Sequence, residues 1–228
     1  MGAEKLALVG PGQLGKQIYN AMGGERLVIG VDEADCRRFG ENPELGYSWN
    51  LKDAAACGIV AMTVHPEVCR SVLDAICPVM QEGSVILNFS TKYQIPEEVR
   101  AAYPKLSLLE AKVLGSAVGM SHGLKPVIVL SSRDAALTER VVAAFPGLKM
   151  VEGDWTLVPK INSIGTAGAI RAGFELQEEM VGQGIPAELA KAALDCLVPG
   201  ALISYAAGTL GKFGLEVLEQ LQKEKGQK

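Results

Sequence analysis

The sequence predicts an α/β fold: a doubly wound, mainly parallel sheet followed by a small all-helical C-terminal domain. Three observations carry this. An apolar run, Leu6-Ala7-Leu8-Val9, ends in Gly10-Pro11-Gly12-Gln13-Leu14-Gly15, and a helix-forming stretch to Met22 follows at once. Strand-like and helix-like segments then alternate to about residue 153. From Leu157 onward the pattern is helix only. Strands separated by helices of this length indicate βαβ crossovers and a parallel sheet.

The first element is the strand Lys5 to Val9, and the turn after it has the spacing G-x-G-x-x-G. In a strand–turn–helix setting this is the fingerprint of a Rossmann-type dinucleotide site. Gly10 permits the tight turn, Gly12 lets a pyrophosphate approach the backbone, and Gly15 lets the helix lie close to the strand. The N–H groups at the helix start, Gln13 and Leu14 among them, favour phosphate charge. Arg26 to Val31 reads as the second strand, followed by a short helix near Ala34 to Phe39 and a brief strand at Gly46 to Trp49. Gly58 to Val64 is a continuous apolar run, as expected of a strand buried on both faces. Pro66 opens a helix with Val68, Val72, Ile76 and Val79 at helical spacing. Ser84 to Phe89, Leu106 to Val113 and Pro126 to Ser131 continue the sheet, Asp134 to Phe145 is helical, and Lys149 to Val151 closes the unit. The dinucleotide-binding domain is thus 1–156.

The remainder, 157–228, is a helical domain. Lys160 to Gly182 is one long helix; Gly184-Ile185-Pro186 ends it and starts the next, Ala187 to Leu197. Pro199-Gly200 is expected to break or kink the chain, and Leu210 to Lys223 is the last helix. The apolar residues here exceed what one thin helical layer buries, so a homodimer through 157–228 is expected, with the active site in the cleft between the halves. The small residues Gly165 to Ala169 suit close helix packing across that dimer.

Composition narrows the function classes. Net charge is −4 with no basic stripe, which argues against nucleic acid as a partner. The five cysteines form no C-x-x-C pair, and with two histidines no metal-ligand spacing appears. No signal-peptide pattern precedes the first strand, and no apolar run reaches the ~18 residues a membrane helix needs. The expectation is a cytoplasmic protein that acts on a small molecule, without membrane or nucleic-acid partners. No motif for nucleophilic hydrolysis or metal catalysis is present.

Asp32 lies at the end of the second strand, twenty-two positions after Gly10. A carboxylate there accepts hydrogen bonds from both ribose hydroxyls of NAD and repels the 2′-phosphate of NADP. Arg37 and Arg38 follow and are able to pair with such a phosphate, so NAD or NADP remains open, with NAD slightly favoured. Val64, His65 and Pro66 stand at the carboxyl end of a buried strand, the edge that holds the ligand crevice in open α/β sheets. Asn88, Ser90 and Thr91 end the next strand at the same edge and are candidates for contacts to the nicotinamide end; ordinary turn capping is the alternative. Lys112 and Lys160 are placed near the junction of the halves. Either is a candidate to neutralise a substrate carboxylate or to deliver a proton; a solvated surface charge is the alternative. Thr166 and Thr209 are candidate hydrogen-bond donors to a substrate.

This layout resembles the pyrroline-5-carboxylate reductase family, within the wider superfamily of 6-phosphogluconate and β-hydroxyacid dehydrogenases. The likeness rests on the fingerprint, on Ala61-Met62-Thr63-Val64-His65-Pro66, on Asn162-Ser163-Ile164-Gly165-Thr166-Ala167-Gly168 leading to Gly184-Ile185-Pro186, and on Gly208-Thr209 before the final helix. It implies an NAD(P)-dependent oxidoreductase that transfers hydride between nicotinamide and a small imine or carbonyl compound. The sequence departs from the family at Ala111-Lys112-Val113-Leu114-Gly115-Ser116, where such reductases carry a Met-Pro-Asn-Thr-Pro-like stretch over the cofactor. That departure leaves a second reading open, a non-catalytic NAD(P)-binding sensor or assembly subunit.

Overall fold

Strand β1 (Lys5–Val9) is the reference for the sheet, with β2 (Glu25–Ile29) on one side and β4 (Ile59–Met62) on the other. The computed structural model describes residues 4–30 and 46–226. It divides into two compact units, Met1–Ser163 and Ile164–Lys228. The first unit carries a single eight-stranded sheet ordered β3-β2-β1-β4-β5-β6-β7-β8, with β3 at Gly46–Ser48, β5 at Val85–Asn88, β6 at Ser107–Leu114, β7 at Val127–Leu130 and β8 at Lys149–Glu152. All pairs are parallel except β6 with β7. β6 changes partner along its length: Ser107 to Glu110 pair with β5, and Ala111 to Leu114 pair with β7.

Among the described residues, the α-helices lying within this unit are α1 (Gln13–Ala21), α2 (Pro66–Ile76), α3 (Glu97–Ala102), α4 (Ala117–Ser121) and α5 (Ala135–Ala144). Strand alternation splits the core into two layers. Leu6 and Leu8 join Ile18 of α1 and Val141 of α5 on one face. Ala7 and Val9 join Cys69, Val72, Leu73 and Ile76 of α2 and Val99 of α3 on the other. The buried side of α2 is therefore shifted from the expected one: Val68 is 36% exposed, and Cys69 takes the core position. The short helices α3 and α4 and the turn Leu51–Ala56 were not read from the sequence, because each is too short to show a helical period. The helix expected at Ala34 to Phe39 lies outside the described residues.

Helix α6 (Val158–Gly182) crosses from the first unit into the second. Val158 is 1% exposed in the first turn of α6, which lies within the first unit. The second unit continues with α7 (Ala187–Ala192), a π-helical turn Ala193–Leu197, α8 (Val198–Ala207) and α9 (Lys212–Gly226). Of the break or kink expected at Pro199-Gly200, the chain shows no break: it stays helical through a π turn. Proline lacks the N–H that would close the preceding turn, and the wider π turn accommodates its ring while the chain stays helical. Within the resulting 21-residue helical run, Ala187–Ala207, an 18-residue stretch reaches a mean hydropathy of 1.3 despite Lys191 and Asp195. It is long and apolar enough, by length and composition, to cross a membrane, although Lys191 and Asp195 interrupt its apolar run.

Cys57, Cys69 and Cys77 are buried and Cys196 is exposed. Burial pushes the Cys57 and Cys77 thiols up to about 11, so both are protonated at pH 8. Of these four, only Cys196 is expected to alkylate in the folded protein at pH 8. Peptide mapping with and without denaturant checks this, and native labelling of Cys57 at the rate of Cys196 would contradict the two-layer packing.

Candidate functional site

The chain leaves β1 at Gly10, which has a φ of +91°. Its N–H donates to the Ile29 carbonyl at 3.0 Å, and a Cβ there would stand 2.6 Å from Val64 Cγ1. Only glycine fits this turn. At Gly15 a Cβ would collide with the Gly10 carbonyl oxygen and stand 2.8 Å from Thr63 Oγ1. The Thr63 hydroxyl donates to the Gly10 carbonyl at 2.6 Å and lies 3.2 Å from that of Val9. α1 thus packs onto the end of β1 with no side chain between them. Thr63 is part of this joint, a role that a lone threonine in an apolar run does not announce.

Gly12 is different. It caps α1 with no side-chain acceptor, and a Cβ there would have nothing within 4 Å. The first turn of α1 carries no acidic residue. The early N–H groups of a helix have no partner within it, and they carry positive partial charge. An open approach, free N–H groups and no competing carboxylate fit a pyrophosphate.

This helix start lies at the point where the sheet order reverses. From β1 the chain moves outward to β2 and β3, then returns to β4 on the opposite side of β1. Ligand crevices of open α/β sheets form at such points. Val64 is buried against Gly10, while His65 is exposed and caps α2, with Nδ1 3.6 Å from Glu67 Oε2. Pro66 opens α2. The structure therefore brings Gly10, Gly12, Gln13, Leu14, Gly15, Val64, His65 and Pro66 to one edge. Asp32, with Arg37 and Arg38, lies outside the described residues.

Asn88 and Lys112 do not face the crevice as free groups. Both are fully buried. The Asn88 amide donates to Glu110 Oε2 at 2.7 Å and to the Tyr93 carbonyl at 2.8 Å, and its oxygen accepts from the Ser90 N–H at 3.1 Å. The Lys112 ammonium pairs with Glu110 Oε2 at 2.8 Å and donates to the carbonyls of Tyr93, at 2.7 Å, and Ser90. Glu110 also accepts from the Ile95 N–H at 2.7 Å and from Arg100 at 3.0 Å. A charge in a doubly covered strand must be paired and hydrogen-bonded to stay there, and these two are. Burial pushes the Lys112 ammonium down from its ordinary value, and Glu110 opposes that shift. With its three N–H groups committed, Lys112 has none for a substrate carboxylate. Ser90 is likewise buried, and its hydroxyl is engaged with the Cys69 thiol. Thr91, Lys92 and Gln94 of this loop remain accessible, and with Tyr93, Trp155 and Thr156 they line a hollow of about 400 Å³.

Lys160 is exposed in the first turn of α6 and has no ion pair among the described residues. Two residues on, Asn162 does what sequence reasoning did not assign to it. Its amide donates to the Val113 carbonyl at 2.8 Å, and its oxygen accepts from the Gly115 N–H at 3.2 Å, which fixes the end of β6. The segment 111–116, where the family pattern is lost, is thus mainly strand: Ala111 and Val113 pack in the core. Thr166 is exposed on α6 within the second unit.

No family model matches the chain. The NAD(P)+ glycerol-3-phosphate dehydrogenase of Azorhizobium caulinodans is 28% identical over 101 residues, 42% of this chain and 31% of that enzyme. The match thus spans about a third of that relative's length. Among solved structures, a pyrroline-5-carboxylate reductase from Coxiella burnetii superposes with a TM-score of 0.75 at 13% identity, covering 96% of this chain and 85% of that one. The Plasmodium falciparum pyrroline carboxylate reductase with NADP bound gives 0.66 at 16% identity, covering 100% of this chain and 92% of that one. The structural neighbours are pyrroline-5-carboxylate reductases and related NAD(P)-dependent reductases, and the chain has their fold.

The two glycines that flank the helix start should respond differently to a methyl group. Gly15→Ala is expected to cost about 1–3 kcal/mol through overpacking against Gly10. Gly12→Ala, with open space at its Cβ, should change stability by less than about 0.5 kcal/mol. Chemical denaturation without ligand compares them, and equal losses would contradict the close approach at Gly15.

Proposed function

We propose that this protein is an NAD(P)-dependent oxidoreductase that passes hydride between nicotinamide and a small imine or carbonyl compound. The observation that carries this is the open, uncapped start of α1 at Gly12, placed where the sheet order reverses. The fold shared with pyrroline-5-carboxylate reductases supports it. The backbone at Gly12, Gln13 and Leu14 would hold the pyrophosphate, with Val64, His65 and Pro66 beside it. A bound nicotinamide supplies the hydride chemistry; the chain binds it, orients it and limits water. Thr91 and Lys92, which line the hollow together with Gln94, would meet the reacting end. Asp32 favours NAD over NADP by the ribose argument.

Gly12→Val tests this site. Its branched side chain would occupy the approach to the α1 N–H groups. Calorimetric titration should show NAD(P)H binding weakened at least about 100-fold, on the order of 3 kcal/mol, in a variant that stays folded. Unchanged affinity would remove the proposal.

We further propose that the protein is a homodimer through its second unit. Ala190 is the one buried residue among those described there. Phe213, Leu197, Ile170 and Phe174 are 78%, 69%, 68% and 61% exposed. A groove of about 890 Å³ is lined by Leu202, Tyr205, Phe213 and Leu218, among others. So much apolar surface calls for a partner, and a second copy brings an identical helical face to meet it. The expected interface is about 2,000 Å² or more in total. Light scattering at micromolar concentration should show a dimer, and Phe213→Asp should weaken it about tenfold or more. A stable monomer in detergent-free buffer would overturn the assignment; recovery only with detergent or lipid would point instead to a membrane covering Ala187–Ala207.

A further inference from the structure

The loop from Phe89 to Pro96 leaves β5 at the carboxyl edge of the sheet and has no regular secondary structure. A dinucleotide straddles the reversal point of such a sheet, with its pyrophosphate at the first helix and its adenosine toward the second strand. The nicotinamide half then falls over β4 and β5, where this loop emerges. Several backbone groups of the loop turn inward, and inward polar groups must find partners. The carbonyls of Ser90 and Tyr93 find the same one, the Lys112 ammonium, which also lies 3.4 Å from the Asn88 carbonyl. Glu110 holds that ammonium and the Ile95 N–H at the far end of the loop. Two residues of β6, spaced to share one face, therefore set the course of the loop. Thr91 and Lys92, which lie between the two tethered carbonyls, are left accessible at the hollow beside Trp155. The Trp155 ring centroid is 5.9 Å from the Lys112 ammonium, so the same charge also sits under the opposite wall.

We infer that Lys112 is a positioning residue for the nicotinamide side of the crevice: through the carbonyls of Ser90 and Tyr93 it holds the β5 loop in the shape that receives the reactive half of the cofactor. This rests on the dinucleotide reading above. It assigns Lys112 no contact with substrate or cofactor.

Separating the two halves of the cofactor tests it. The full-length protein is titrated with the tighter of NADH and NADPH, and with the matching fragment, ADP-ribose or its 2′-phosphate, which lacks nicotinamide. Lys112→Met keeps the length and apolar stem of the side chain and leaves Glu110 with Asn88, Ile95 and Arg100 as donors. It should weaken the dinucleotide about tenfold or more and the fragment by less than about twofold. Hydrogen exchange should rise at residues 90–95 and stay unchanged in β1 and β2. Equal loss for both ligands, or no loss for either, would overturn the inference, because a purely structural lysine has no reason to spare the fragment. If the methionine variant does not fold, Lys112→Gln, which retains a donor, carries the same comparison. Unfolding of both would mark the residue as a fold element only and would also overturn it. Wild-type protein that binds neither dinucleotide nor fragment would instead defeat the proposed function itself.

Discussion

The site depends on one close approach. α1 reaches the end of β1 because Gly15 has no side chain and because the Thr63 hydroxyl ties the Gly10 carbonyl to β4. That contact puts the helix start at the reversal of the sheet and aims its first N–H groups into the crevice. Had the helix been displaced by even a methyl group, the same groups would point elsewhere. The remaining strands follow from the layering this joint begins, since the side chains of β1 supply both core faces.

The crevice has a second side, and it is organised differently. Beside β1 the backbone itself does the work, through turn geometry and helix amides. Beside β5 a buried acid and base do it, by supplying partners for a loop that has no ladder of its own. The first arrangement tolerates little change in side-chain size. The second tolerates little change in charge, because removing either ion leaves the other with fewer partners in a dry strand.

Much of the first arrangement was legible in the sequence. Glycine requirements are local, so Gly10, Gly12 and Gly15 announce their roles within six residues. The apolar runs likewise mark β1, β4 and β5 with little dependence on distant contacts. The second arrangement was less legible: Asn88 and Ser90 read as ligand contacts or as turn capping, Lys112 as a substrate partner or a solvated charge, and the structure bonds them to one another and to Glu110. A signal was present. In Leu108-Leu109-Glu110-Ala111-Lys112-Val113, opposite charges two apart in an apolar strand must share a face, and a pair on a covered face is more plausibly internal than solvated. Asn162 reads from the sequence only as part of the family-like segment 162–168, because an amide that completes a strand end many residues away leaves no local pattern. The π turn before Pro199 is also illegible from propensity, since proline alone reads as a stop.

In the function proposed above, hydride leaves or reaches nicotinamide in this crevice. The most direct test is absorbance at the reduced-nicotinamide band while the purified protein meets a panel of cyclic imines, 2-oxo acids and 3-hydroxy acids with NAD(H) and NADP(H). A substrate-dependent absorbance change with at least one member of the panel is expected. Saturable cofactor binding with no turnover across the whole panel would contradict it, and would leave a nucleotide sensor built on a reductase fold.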